Sequence, residues 1–148
     1  MLYRLRRELC NILNSKAISF GDDNMPEKTK KILLIDDHIE VLKIQKEILA
    51  RNGFEVILAA NGTLGLEKAR ELLPDLVLTD VLFPGLSGVE VCRQIKQDPK
   101  LQGVPVIICS ASDLEITECY EAGADIFLLK PVPTQKILLH IKRLLRED

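Results

Sequence analysis

Four short apolar runs in this sequence end on polar residues that could take part in chemistry. Two runs are followed by carboxylates, one by a hydroxyl and one by an amine. The runs and the residues that follow them are 31–35 before Asp36 and Asp37, 76–79 before Asp80, 106–109 before Ser110, and 126–129 before Lys130. One such ending carries no information, but four endings with complementary chemistry indicate a common site.

Three carboxylates in one site repel each other and need compensation. At a separation of ~4 Å and an effective dielectric constant of ~20, each pair costs about 4 kcal/mol. Protons, a lysine or a divalent cation can remove this cost, and oxygen ligands favour a hard cation such as Mg²⁺. A carboxylate can also be a covalent nucleophile toward phosphorus. Asp80 is the predicted nucleophile, since it stands alone after its run whereas Asp36 and Asp37 form a pair.

The elements that must position these residues are predicted from the apolar periodicity. Near-continuous apolar strands alternate with helical patterns, which is typical of a parallel sheet covered by helices on both faces. Ligands bind beyond the carboxyl ends of the strands in such sheets, so the polar residues are expected to meet at one edge. The pattern comprises five β-α units in one α/β domain.

Several details of these units follow from side-chain spacing. The fourth strand is predicted at residues 104–109 and the fourth helix at 114–121, and Ser87 is predicted to cap the third helix. The apolar stripes that define the inner faces of the first two helices are Val41, Ile44 and Ile48 in the first and Leu66, Ala69 and Leu73 in the second.

The composition is that of a single globular domain with an aliphatic core. Of the 148 residues, 47% are hydrophobic and 4% aromatic, and the formal net charge is −2. That charge gives no general attraction to nucleic acid or to membranes. No apolar run is long enough to span a bilayer, so no transmembrane segment is expected. The N-terminus lacks the apolar region of a secretory signal, so a cytoplasmic location is expected.

The cysteines and histidines do not form a metal site by spacing. No two of Cys10, Cys92, Cys109 and Cys119 are arranged as C-x-x-C, and Cys109 lies inside an apolar run. Buried, reduced thiols are therefore expected. Neither histidine has a ligand partner at metal-site spacing, and His38 is predicted to face solvent.

Residues 1–29 differ from the rest of the chain and are interpreted as an N-terminal extension and linker. Apolar residues recur at helical spacing between basic ones, and a turn-rich stretch follows at 21–26. A loosely ordered extension is one interpretation. The other is an amphipathic helix that docks on this domain, on a partner or on a second copy. The apolar positions are Leu2, Leu5, Leu9, Ile12 and Leu13.

From residue 30 to residue 146 the chain resembles a response-regulator receiver domain, the phosphoacceptor of two-component signalling. The resemblance depends on motifs that occur together, in order and at the family's spacing. They are Ile35-Asp36-Asp37, Asp80 with Pro84-Gly85 and Gly88, Ser110-Ala111, and Lys130-Pro131. The resemblance implies a receiver domain over residues 30–148, of stand-alone type. It also implies a doubly wound, CheY-like (flavodoxin-like) sheet with strand order 2-1-3-4-5, an order that the spacing of side chains does not give.

The resemblance also implies roles for the site residues. Asp80 would accept a phosphoryl group from a phosphohistidine of a sensor histidine kinase or a histidine phosphotransfer protein. Asp37, Asp80 and the backbone carbonyl of Leu82 would ligate Mg²⁺, with Asp36 acting through water. The residues expected to respond to the phosphoryl group are Ser110, Lys130 and the aromatic switch Phe127, and the Lys130-Pro131 bond is expected to be cis.

Two positions in the family tune the loss of the phosphoryl group, and here they are Leu82 and Ser112. Leu82 cannot position a water by a side-chain hydrogen bond, so slow to moderate autodephosphorylation is expected. Phe83 and Ser87 depart from the methionine and aspartate that are frequent in the family. Neither change removes a group that the chemistry needs.

Three functions are compatible with this sequence. The first is a signalling switch that catalyses only its own phosphorylation and dephosphorylation. Its output would be contact of its fourth helix, fifth strand and fifth helix with an unknown downstream protein, without direct DNA binding, and with a possible homodimer. The second is an aspartyl-phosphate phosphatase of the haloacid dehalogenase type, although its second acid is absent at Leu82. The third is a receiver fragment of a larger hybrid kinase or transcription factor.

Overall fold

The computed structural model of the protein describes residues 28–146, in which five strands alternate with five helices. The strands are β1 (Lys31–Ile35), β2 (Glu55–Ala59), β3 (Leu76–Asp80), β4 (Val106–Ser110) and β5 (Ile126–Leu129). The helices are α1 (Ile39–Arg51), α2 (Gly62–Leu72), α3 (Gly88–Gln97), α4 (Ile116–Glu121) and α5 (Thr134–Leu144). Residues 1–27 lie outside the described part, so the boundary between an extension at 1–29 and a domain at 30–148 stays a prediction.

The five strands form one parallel sheet in the order β2-β1-β3-β4-β5. This order confirms the doubly wound α/β fold that the resemblance implies. The chain moves from β1 to β2 in one direction and from β3 to β5 in the other, so the strand order reverses between β1 and β3. A crevice forms at such a reversal, beyond the carboxyl ends of the strands. Asp36 and Asp80 therefore leave the sheet side by side.

Both faces of the sheet are buried, because successive strand residues point to opposite faces. Leu33 and Ile35 belong to the core that α2, α3 and α4 cover. Ile32 and Leu34 belong to the core that α1 and α5 cover. Three of these side chains are fully buried and the fourth, Ile35, is 1% exposed. Coverage of both faces explains why the strands read as continuous apolar runs.

A close backbone approach at Gly88 fixes the turn after β3. A Cβ on Gly88 would lie 1.8 Å from the carbonyl oxygen of Asp80. The Gly88 amide donates a hydrogen bond to the carbonyl of Val81 at 2.8 Å. The Ser87 hydroxyl accepts from the Glu90 amide at 3.2 Å, which confirms the predicted cap of α3. The end of β3 is thereby held against the start of α3.

The inner face of α1 differs from the predicted stripe. Leu42 and Leu49 are 3% and 1% exposed and pack in the core. Val41 and Ile44 are 40% and 59% exposed, so the predicted inner stripe is wrong. The helix carries two apolar rows, and helical periodicity cannot tell which one faces the sheet. The short connection after β1, residues 36–38, sets the rotation of the helix.

Smaller differences occur at the ends of other elements. Leu66 and Ala69 are buried as predicted, but Leu73 is half exposed because it ends α2 in the left-handed conformation, with φ at 49°. β4 begins at residue 106, and α4 begins at residue 116 because Leu114 lies in a loop and is 85% exposed. Within residues 28–146, no helix combines the length and apolar character that a membrane span requires.

Candidate functional site

Asp80 ends β3 with a hydrogen bond to each carboxylate oxygen. The backbone amide of Val81 donates to Oδ1 at 2.7 Å. The ammonium of Lys130 donates to Oδ2 at 2.9 Å. The side chain is 13% exposed, at the edge of the sheet between the ends of β1 and β4. Asp80 is therefore an oriented carboxylate that a reactant can approach from solvent.

Lys130 follows β5 and contacts two of the three predicted acids. Its Nζ atom lies 2.9 Å from Asp80 Oδ2 and 3.7 Å from Asp36 Oδ2. Partial burial lowers the pKa of Lys130, but the hydrogen bond and charge of Asp80, together with the charge of Asp36, outweigh it. The net result is a pKa above the usual lysine value, so the ammonium stays charged and balances part of the acidic charge.

Asp36 and Asp37 are joined by the imidazole of His38. Asp36 is buried, and its Oδ1 accepts from both the backbone amide and the Nδ1 atom of His38, each at 3.0 Å. The same Nδ1 lies 3.1 Å from Asp37 Oδ1. The hydrogen bond that His38 donates to Asp36, followed by the charges of Asp37 and Asp36, raises the pKa of His38 above its usual value.

Ser110 ends β4 next to this group and is 1% exposed. Its hydroxyl oxygen accepts from the backbone amide of Ser112 at 3.3 Å. Its carbonyl accepts from the backbone amide of Lys130 at 2.7 Å, which ties the ends of β4 and β5 together. Ser112 in turn accepts from the Leu114 amide at 3.1 Å. The loop before α4 thus begins as a chain of serine-capped turns.

Phe127 lies on β5 and packs partly buried against the core on the α4 side of the sheet. Its backbone amide donates to the hydroxyl of Tyr120 in α4 at 3.3 Å. The Lys130-Pro131 peptide bond is cis, which confirms that prediction. β5 therefore connects Lys130 in the site with Phe127, and the hydrogen bond of Phe127 connects the strand with Tyr120 of α4.

The predicted cation pocket contains carboxylate oxygens, which a hard metal prefers, beside one imidazole nitrogen. Single donor atoms of Asp36, Asp37 and His38 all lie within 4.8 Å of one another. Asp80 joins this group because Lys130 contacts both Asp36 and Asp80. Carboxylate oxygens are the ligands that Mg²⁺ uses in proteins. The residues present therefore fit a hard divalent cation.

A cleft of about 610 Å³ opens on one side of the acidic group. Its walls are contributed by the loops that follow β1, β2 and β3 and by the first two turns of α2. The residues that line it are Asp37, Ala60, Asn61, Thr63, Leu64, Glu67 and Pro84. Asp37 therefore borders this cleft, whereas Asp80 does not.

A family model described as the response regulator receiver domain matches residues 32–142, from β1 into α5. The chain belongs to this family. The match confirms the resemblance and, with the observed strand order, the fold. The paired acids, Asp80, Ser110 and Lys130 of this receiver domain all lie within the matched residues.

Relatives of this receiver domain include regulators and a kinase that are longer than the chain. It is 35% identical over 121 residues to the alkaline phosphatase synthesis transcriptional regulatory protein PhoP of Bacillus subtilis, covering 80% of the chain and 50% of PhoP. It is 32% identical over 146 residues to histidine kinase P4 of Formosa agariphila, covering 97% of the chain and 10% of the kinase. The chain thus spans about half the length of PhoP.

A solved relative contains the predicted metal together with a fluoroberyllate. The response regulator protein TrrA of Thermotoga maritima, in complex with Mg²⁺-BeF, superposes with a TM-score of 0.71 at 30% identity. The comparison covers 78% of this chain and 99% of TrrA. TrrA and this chain are therefore similar in both fold and sequence.

The structure also contains site contacts that were not predicted from the sequence. His38 is 69% exposed in its side chain, as predicted, yet it bridges Asp36 and Asp37. Its position directly after the acid pair was the signal for this contact. The Val81 amide on Asp80 carries no sequence signal, since every residue but proline has this donor. The Leu82 side chain is 64% exposed, and the role of its carbonyl stays a prediction.

Proposed function

We propose that this receiver domain accepts a phosphoryl group on Asp80 from the phosphohistidine of a sensor histidine kinase or a histidine phosphotransfer protein. The observation that carries the proposal is the hydrogen bond of 2.9 Å between Lys130 Nζ and Asp80 Oδ2. A fixed ammonium on the reacting carboxylate is suited to neutralise phosphoryl oxygens as charge develops on them.

In the proposed transfer, one carboxylate oxygen of Asp80 attacks phosphorus. An O–P bond forms while the N–P bond of the donor breaks, and the electron pair returns to the donor imidazole, which takes a proton from solvent. Lys130 would then hold a phosphoryl oxygen in place of the carboxylate oxygen. The backbone amide of Val81 keeps the acceptor oriented during the reaction.

We propose Mg²⁺ as the cofactor of this step. Its ligands would be Asp37, Asp80 and the backbone carbonyl of Leu82, with Asp36 acting through water. When bound, the ion would supply positive charge to the phosphoryl oxygens and relieve the repulsion among the acids. The Mg²⁺-BeF complex of TrrA supports this choice.

The exposed side of α1 supports a protein as the phosphoryl donor. α1 starts two residues after Asp37, and Val41 and Ile44 expose 40% and 59% of their surface. Exposed apolar residues that form a row beside a reactive group favour a docking partner. A donor seated on this row would present its phosphohistidine to Asp80 at the carboxyl edge of the sheet.

The signal would leave through α4, β5 and α5. Ser110 and Lys130 would move onto the phosphoryl oxygens, and Phe127 would follow by turning inward. The hydrogen bond between Phe127 and Tyr120 couples this strand to α4. Exposed Leu114 and Leu129 would form part of the surface that a downstream protein reads.

Further properties belong to the same proposal. The domain catalyses only its own phosphorylation and dephosphorylation, with slow to moderate loss of the phosphoryl group tuned by Leu82 and Ser112. It acts in the cytoplasm by protein contact and does not bind DNA itself.

Leu82 in place of a second acid disfavours a haloacid-dehalogenase phosphatase. PhoP and kinase P4 keep open the alternative of a receiver within a larger regulator or hybrid kinase.

Intact mass spectrometry tests the acceptor. The protein is incubated with acetyl phosphate and Mg²⁺, and the Asp80→Asn variant is treated in parallel. A gain of one phosphoryl group in the wild type alone is expected, because amide nitrogen is a poor nucleophile. Equal modification of the variant would remove Asp80 from its role. Turnover of a phosphomonoester substrate would favour the phosphatase instead.

A further inference from the structure

α1 leaves one apolar row uncovered by the rest of the described domain. Val41 and Ile44 are exposed and Ile48 is partly buried, and the three lie at i, i+3 and i+7. Residues at this spacing share one side of a helix. The row lies away from Leu42 and Leu49, which face the core. We call it the α1 row.

The solvent-facing edge of the α1 row is charged, with residues of both signs. By helical spacing, Glu40 and Glu47 lie on this edge, about 100° per residue around the helix. Both are exposed, and Glu47 pairs with Arg51 at 2.5 Å. Lys43, three residues after Glu40 and four before Glu47, lies on the same side of the helix and is also exposed. A partner suited to the row would therefore be amphipathic, with an apolar face flanked by charged residues.

The chain itself contains a segment of this kind, at residues 2–13, outside the described part. Leu2, Leu5 and Leu9 repeat the spacing i, i+3, i+7 of the α1 row, and Ile12 extends the series. Residues 1–16 are basic, with Glu8 as their one acid. The basic residues are Arg4, Arg6, Arg7 and Lys16, which gives a net charge of +3.

The connection between this segment and the domain is long enough for docking on α1. Fourteen residues, 14–27, separate it from the first described residue. They span at most about 50 Å when extended. α1 is about 20 Å long. Because α1 runs antiparallel to β1, its carboxyl end lies near Lys30, whose carbonyl accepts from the Glu55 amide at 2.9 Å. A tether of this length keeps the effective concentration near ~1 mM.

We propose that residues 2–13 dock as an amphipathic helix on the α1 row and cover it. Among the other exposed apolar side chains of the described part, Ile116 and Tyr120 in α4 lie at helical spacing, but they form a pair and not a row of three. Docking would occlude the side of the domain that begins beside Asp37. The consequence that the segment competes with the phosphoryl donor rests on the proposed function, whereas the docking itself does not.

Paramagnetic relaxation enhancement tests the docking in the full chain. The cysteines of the described part are all buried, and burial raises the pKa of Cys92 to about 11 and of Cys109 to about 12 and raises that of Cys119. A thiol-reactive nitroxide is therefore expected to label Cys10. Amides of residues 41–48 should lose more intensity than any other part of the domain, and reduction of the nitroxide should restore them.

A matched variant decides whether the apolar contact causes the loss of amide intensity at residues 41–48. Leu5→Asp with Leu9→Asp, labelled at Cys10 in the same way, should abolish the loss at residues 41–48 while the spectrum stays folded. An unchanged pattern in this variant, or a maximum at residues 114–129, would overturn the proposal. So would broadening in a mixture of labelled and isotopically enriched chains, since it would identify a second copy as the occupant.

The same samples separate this inference from the proposed function. Acetyl phosphate needs no docking surface, so the wild type and the double variant should be phosphorylated on Asp80 to the same extent. A failure of both proteins to gain a phosphoryl group would count against the proposed function and leave the relaxation result to decide the docking.

Discussion

Among single residues, Lys130 is the group that holds the acidic site together before any cation binds. Its ammonium is 2.9 Å from one carboxylate and 3.7 Å from another, Asp80 and Asp36. His38 has the same effect for the outer pair when it is protonated, because its Nδ1 contacts Asp36 and Asp37. The site therefore combines three acids with one permanent and one pH-dependent positive charge.

The two histidines of the chain should titrate on opposite sides of the usual histidine value. The contacts with Asp36 and Asp37 raise the pKa of His38, whereas burial and then Arg143 and Lys136 lower the pKa of His140. NMR titration should find His38 above about 6.5 and His140 below it. The Asp36→Asn variant should lower the pKa of His38 and leave His140 unchanged.

The directions of the two pKa shifts determine how each histidine changes the stability of the fold with pH. A raised folded-state pKa means that the His38 contacts stabilise the fold fully below the unfolded pKa, and that this contribution is lost as pH rises through the folded pKa. For His140 the sign is opposite, since protonation at low pH opposes folding. A His38 that titrates below His140 would contradict both contact sets.

Among the elements, α1 has apolar residues on both its buried and its exposed side. Leu42 and Leu49 bury its inner side, and Val41 and Ile44 leave an apolar row outside. The stability of the helix therefore comes from a minority of its apolar residues. Val41 and Ile44 stay exposed to solvent, and Ile48 is partly buried.

Truncations on the two sides of α1 should have very different costs. Leu49→Ala removes a side chain that is 1% exposed and should lower the free energy of unfolding by about 2–5 kcal/mol. Ile44→Ala, at a site that is 59% exposed, should change it by less than about 0.5 kcal/mol. Urea denaturation measures both, and equal costs would contradict the observed rotation of α1.

The turn after β3 gives a second prediction at this scale. Gly88→Ala would place a Cβ 1.8 Å from the Asp80 carbonyl oxygen, which is backbone and cannot rotate away. Because the end of β3 must move, a loss of more than about 2 kcal/mol is expected, together with slower phosphorylation of Asp80. Gly103→Ala is the control, since nothing lies within 4 Å of its added Cβ. Equal stability of the two variants would refute the close approach.

In the whole molecule, the parallel sheet gathers residues that are distant in sequence. Asp80 and Lys130 are separated by 50 positions and share a hydrogen bond. The free energy of folding therefore includes the work of bringing like charges together, which the core on both sides of the sheet must supply. A cation that binds only the folded state should offset part of that free-energy cost.

Magnesium should accordingly raise the melting temperature of the protein. At about ten times the dissociation constant, the stabilisation is about 1.4 kcal/mol, or a shift of roughly 3–6 °C for a domain of this size. Asp37→Asn should reduce the shift, because one donor of the acidic group is lost. Differential scanning calorimetry against a sodium salt of equal ionic strength provides the measurement. No shift at millimolar Mg²⁺ would mean that the acids do not share a cation.

Much of the fold and of the site could be predicted because local patterns carry them. The apolar runs identify the strands, since a strand covered on both faces must be apolar throughout, and Asp36, Asp80, Ser110 and Lys130 follow those runs directly. The strand order needed the family resemblance. Nothing in the spacing of side chains states which strand lies beside which.

The sequence by itself determined which residues would stand at the carboxyl edge of the sheet, because a chain cannot place the residue after a buried strand anywhere else. Only the tertiary structure decided which side of α1 is buried and how His38 and Val81 contact the acids. These depend on the rotation of a helix and on backbone directions in loops, which are set by packing between elements and leave no periodic pattern in the chain.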